Sequence, residues 1–184
     1  MKLLRCCMLL VLFSDSQRID AEMRTVAGVS TFACWSDESQ ELMLLFHGCK
    51  NQGSDWFSKP EEILFLRQVL SKKISILAFT TPLHNGNWCW PSEGPGLEDA
   101  LRQISTALTQ LLQTRPQRFF SLILVGASSG GLFASLGIET ALIFGVRGVS
   151  RSHLPKLWWP SLDGVAKACM WKVSPHSSFL ADVA

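Results

Sequence analysis

The chain has 184 residues, 47% of them hydrophobic and 17% charged, with a formal net charge of +2. That length suits one domain with a sizeable core, and the composition excludes a disordered chain. With no basic run longer than Lys72-Lys73 there is no electrostatic footprint for nucleic acid, so neither DNA nor RNA is expected as a partner.

The first stretch, residues 1–13, pairs a basic start (Lys2, Arg5) with a short apolar run, and Ser14 and Ser16 follow. It resembles a secretory signal peptide and is too short for a membrane span of about 20 residues. The expectation is a leader over 1–21, a single domain over 22–184, and secretion, with the cytoplasm as the alternative location. Once the leader is removed, Cys34, Cys49, Cys89 and Cys169 remain, an even set that can pair in an oxidising compartment in ways the sequence leaves open. No C-x-x-C pair or His/Cys cluster has zinc spacing, so no metal site is expected.

Residues 25–32 are rich in β-branched side chains, 36–40 supply turn chemistry, and 42–46 form a continuous apolar run suited to a strand covered on both faces. Two strands with a tight connection predict a hairpin. The second ends at His47-Gly48-Cys49 and enters a polar loop in which Asp55 reads as a hydrogen-bonding residue. Ser58-Lys59-Pro60-Glu61 carries an N-cap hydroxyl, an early proline and a capping-box carboxylate, predicting a helix start at Ser58 with Ile63, Leu66 and Leu70 on one face. Residues 74–80 predict a buried strand that runs into an aromatic loop over 82–91. The clearest helix begins at Gly94-Pro95-Gly96, with Leu97, Leu101, Ile104, Leu108 and Leu111 on one stripe and Glu98 and Asp99 assigned to its first turn. Pro116 marks its end. A strand from Phe120, a helix from Ser129 to about Ile143 and a short strand over 146–150 complete the pattern, without repeat or linker. Hairpin, helix, strand, helix, strand, helix, strand predicts an α/β fold: a mostly parallel sheet flanked by helices on both sides, with its site at the carboxyl ends of the strands.

Gly126-Ala127-Ser128-Ser129-Gly130 fits the G-x-S-x-G nucleophile elbow, a strand-to-helix turn that exposes a serine hydroxyl. A serine in a sparsely populated backbone conformation needs neighbours without bulk, and Gly126 and Gly130 meet that need. The same letters also suit the glycine-rich loop of short-chain dehydrogenases. Against that reading, Leu132 stands where a third glycine belongs, no acidic residue follows at about 20 positions, and the chain has no tyrosine.

A strand ending in His47-Gly48 two crossovers before a strand ending in G-x-S-x-G resembles the α/β-hydrolase superfamily, particularly its serine esterases and lipases, over residues 24–150. The resemblance implies Ser128 as nucleophile, with the amides of Ser129 and of Gly48 or Cys49 forming the oxyanion hole. It also implies an acid and then a histidine after the serine, and Asp163 and His176 are the candidates. Those two stand close together, with little room for the strand, helix and strand that normally separate them. The fold is therefore expected to be an α/β-hydrolase incomplete at its C-terminus. Other readings stay beside these: Asp163 as a turn former, His176 as a surface residue, and His47 as a structural loop histidine rather than a base. His84, Trp88 and Trp90 either line an acyl pocket or cover the core. The expected function is cleavage of a small-molecule carboxylic ester through an acyl-enzyme on Ser128, with no cofactor and oligomeric state open. The alternative is an inactive or truncated relative acting as a binding module.

Overall fold

The computed structural model describes residues 18–83, 86–115, 119, 121–140, 152–153 and 168–173. Residues 1–17 of the expected leader, Asp163, His176, His84 and the strand expected over 146–150 lie outside the described residues.

Seven strands form one sheet among the described residues: β1 (Glu22–Val26), β2 (Val29–Cys34), β3 (Glu41–Phe46), β4 (Ser75–Phe79), β5 (Ser121–Ala127), β6 (Ser152–His153) and β7 (Ala168–Val173). Their order is β1-β2-β4-β3-β5-β7-β6. Only the β3–β4 and β3–β5 pairs are parallel, while the others run antiparallel. The expectation of a mostly parallel sheet is thus corrected to a mixed sheet with a parallel centre. A hairpin at one end and β7 beside β5 supply the antiparallel pairs.

The predicted hairpin is corrected as well. The run over 25–32 is not one strand, because Ala27 and Gly28 take φ values of 51° and 79°. Two successive positive φ angles make a tight hairpin turn, so β1 and β2 pair with each other. Strand β4 sits between β2 and β3. The connection from β2 to β3 passes the start of β4 and grips it: Ser75 N–H donates to Ser39 Oγ at 3.0 Å, and Ser36 N–H donates to Ser75 Oγ at 3.1 Å.

Three helices, α1 (Pro60–Ser71), α2 (Gly94–Gln113) and α3 (Ser129–Thr140), and a 3-10 turn (Gly53–Phe57) complete the described elements. Helix α1 starts one residue later than expected, with Lys59 rather than Ser58 at its N-cap and no capping side-chain bond. Ser58 instead donates its hydroxyl to the Ser54 carbonyl, and Asp55 accepts from the Gln52 amide at 3.0 Å. In α2 the first turn holds no acidic residue, because the helix begins at Gly94 and places Glu98 and Asp99 one turn further in.

Alternation along β3 divides the core. Leu42, Leu44 and Phe46 face α2 and α3 through Leu101, Ile104, Leu108 and Phe133. Met43 and Leu45 face α1 and the 3-10 turn through Trp56, Phe57, Leu66 and Val69. Because β4 and β5 flank β3 on opposite sides, crossovers of one hand must put α1 and α2 on opposite faces. The chain therefore reverses its direction of winding at β3 and β5, and in such sheets the crevice opens at the carboxyl ends of those two strands.

Candidate functional site

Strands β3 and β5 deliver His47-Gly48-Cys49 and Ser128 to that crevice. Ser128 is exposed and has a φ of 51°, a left-handed conformation that costs a residue with a side chain about 1–2 kcal/mol. Its carbonyl accepts from the amides of Gly131 at 3.0 Å and Leu132 at 3.2 Å, so Ser128 caps α3. The amide of Ser129, first residue of the helix, has no carbonyl a turn earlier to bond and sits at the positive end of the helix dipole.

The flanking glycines are sterically enforced. A Cβ at Gly126 would fall on the backbone of Gly130 and Gly131, and one at Gly130 would fall on the carbonyls of Phe46 and His47, in each case closer than 3.0 Å. The elbow is thus pressed onto the end of β3. Gly48 is buried against the serine, so that a Cβ built on it would lie 3.5 Å from Ser128 Cβ.

His47 lies beside this serine turn and is 2% exposed. Its Nε2 accepts the Thr81 N–H at 3.0 Å, and its Nδ1 lies 2.7 Å from the Gly48 carbonyl, to which it must donate. The ring is therefore the neutral Nδ1–H tautomer with both nitrogens engaged. Burial holds its pKa below the ordinary 6.5, against the opposing pull of the Gly48 carbonyl. His47 has no lone pair left for a serine proton, in keeping with a structural histidine.

A layer of aromatic rings underlies the site. Trp90 is 3% exposed and packs on Phe133 at 4.5 Å and Phe46 at 5.3 Å between centroids, so it covers core. Sequence reasoning did not anticipate what its loop does. Cys89 forms a disulfide with Cys49, 40 positions apart in the sequence; closing such a loop contributes about 4 kcal/mol on chain-entropy grounds. The signal available was positional: both cysteines follow the carboxyl ends of strands that turn out to be neighbours. Cys34 is a free thiol, its pKa pushed up to about 11 by burial and by Asp20. Cys169 pairs in register with Gly126.

Among the described residues no group of three His, Cys, Asp or Glu side chains is arranged to hold a metal ion, and no helix is long and apolar enough to cross a membrane.

No family model matches the chain, and no curated protein matches it. Among solved structures, TT1662 from Thermus thermophilus is similar at 23% identity and a TM-score of 0.39, over 68% of this chain and 53% of that one. The epoxide hydrolase VrEH1 from Vigna radiata is similar at 20% identity and a TM-score of 0.37, over 65% of this chain and 33% of that one. The chain thus spans about half the length of the first and a third of the second.

Proposed function

We propose that the chain is a serine hydrolase that cleaves a small-molecule carboxylic ester through an acyl-enzyme on Ser128. One observation carries the reading: an exposed serine with a φ of 51°, wedged between two positions that admit no side chain. Backbone strain is kept only where the surroundings enforce it, and it gathers at reactive positions. In this reading the amide of Ser129 is one oxyanion donor. The amide of Gly48 or Cys49, in the loop between the third strand and the first helix, is the other. Each would contribute about 3 kcal/mol to the tetrahedral intermediate.

The hydroxyl still needs a base oriented by an acid. Since both nitrogens of His47 are engaged, His176 and Asp163 keep those roles in the proposal. Strand β7 ends at Val173, paired with Leu122 at the far end of β5 from Ser128, so His176 is the member that most needs testing. The leader and the Cys49–Cys89 cross-link both suit an oxidising compartment.

The experiment is fluorophosphonate labelling of the folded, oxidised chain, with the adduct located by mass spectrometry. The expected result is an adduct on Ser128 that disappears in Ser128→Ala and forms about 100-fold more slowly or worse in His176→Ala, as for loss of a general base. A folded protein that takes no label would overturn the reading and leave a binding module built on the same crevice.

A further inference from the structure

Three backbone and covalent links converge on residues 86–90. The Lys50 amide donates to the Asn87 carbonyl at 2.7 Å, Cys89 is joined to Cys49, and the Trp90 amide donates to Ser129 Oγ at 3.4 Å. The first two hold the loop that follows β3, and the third holds the first residue of α3. One short segment therefore touches both sides of the crevice, next to each of the amides assigned to the oxyanion.

The backbone on either side of the disulfide is strained. Lys50, which follows Cys49, has a φ of 62°, and Trp88, which precedes Cys89, has a φ of 50°. A bulky aromatic residue adopts that conformation only when its surroundings impose it. Both cysteines are half-buried and so within reach of a small thiol reagent. The cross-link thus joins two segments that each carry a left-handed residue next to a cysteine.

We propose that residues 86–90 are a thiol-releasable brace that sets the spacing of the two oxyanion donors, with Cys49–Cys89 as its latch; this rests on the ester-hydrolase reading above. Release is by a dithiol reductant. One reagent thiolate attacks a sulfur of the Cys49–Cys89 bond, which breaks as a mixed disulfide forms, and the reagent's second thiol then displaces the protein sulfur. Two electrons pass from reagent to protein, the two thiol protons end on Cys49 and Cys89, and the reagent leaves as a cyclic disulfide. Positioning errors of about 1 Å cost on the order of 100-fold in rate, so a loosened brace acts on the acylation step rather than on probe binding.

The test follows two readouts on the same full-length chain, oxidised, reduced by dithiothreitol and reoxidised. One is fluorophosphonate labelling of Ser128, resolved into the acylation rate at saturation and the half-saturating concentration. The other is hydrogen exchange at the Lys50 and Trp90 amides. The expected result on reduction is an acylation rate at least about 10-fold lower at little-changed half-saturation, faster exchange at both amides, and recovery on reoxidation. Labelling that survives reduction unchanged overturns the brace, whatever the exchange does, and leaves the hydrolase reading intact. If the oxidised chain takes no label, the hydrolase reading falls, and unchanged exchange on reduction overturns the brace as well, whereas faster exchange upholds the mechanical coupling. Should reduction unfold the chain, Ser129→Ala in the oxidised protein removes the hydroxyl that anchors Trp90 and keeps the amide. A several-fold lower acylation rate supports the brace, and a rate equal to the parent overturns it.

Discussion

At the end of β3, His47 is 2% exposed and spends both ring nitrogens on backbone groups; at the end of β5, beside it, Ser128 is exposed with a φ of 51°. The two strand ends lie side by side at one end of the sheet and are pressed together through Gly130, yet a residue type associated with catalysis is structural at one and strained and open at the other. Residue type alone therefore says little about reactivity here. What separates the two is whether polar atoms are already committed and whether the backbone rests in an ordinary conformation.

The contrast can be broken most severely at the contact between the two ends. Gly130→Ala forces a Cβ onto the Phe46 and His47 carbonyls, and the expected loss is about 3 kcal/mol or more, read by denaturant unfolding, with labelling of Ser128 abolished. Next, His47→Ala leaves the buried Thr81 amide without its acceptor and is expected to cost about 2–3 kcal/mol. Because burial lowers the folded-state pKa of His47, the unfolded chain binds the proton more readily. Stability is then fully present above about pH 6.5 and declines as pH falls from there to the lowered value. His47→Gln, which retains an acceptor for Thr81, should flatten that acid limb of the stability profile. The smallest effect sharpens the contrast from the other side: Ser128→Gly relieves the left-handed strain and is expected to stabilise the fold by about 1 kcal/mol while removing all labelling. A serine with no special backbone cost would show no gain.

Much of this was legible because it is written locally. The stripe through Leu101, Ile104, Leu108 and Leu111 marks α2, the apolar runs mark β3, β4 and β5, and the glycine spacing marks the elbow. What escaped were facts that depend on partners distant in sequence. Ala27-Gly28 reads as part of a β-branched run, since Ala gives no turn signal, so the strand break was missed. The antiparallel docking of β7 on β5 has no local signature. Nor could the cysteine pairing be seen until the topology brought the loops after β3 and β4 to one edge. The capping residue of α1 differs because the helix takes Lys59 as its N-cap, which leaves Ser58 one position too early to accept from the first turn, and its hydroxyl donates to the Ser54 carbonyl.

The insertion of β4 between β2 and β3 also bears on the order in which the chain assembles. As the polypeptide emerges from the ribosome, β2 and β3 are available before β4, and a direct antiparallel hairpin between them is the contact of shortest sequence range. The native sheet needs that pairing to be absent, or undone, when residues 75–79 arrive. The grip of Ser36 and Ser39 on Ser75 holds the gap open in the finished molecule. Residues 75–79 thus complete the sheet by docking between two strands that precede them in the chain, a pairing of longer sequence range than the direct hairpin it displaces.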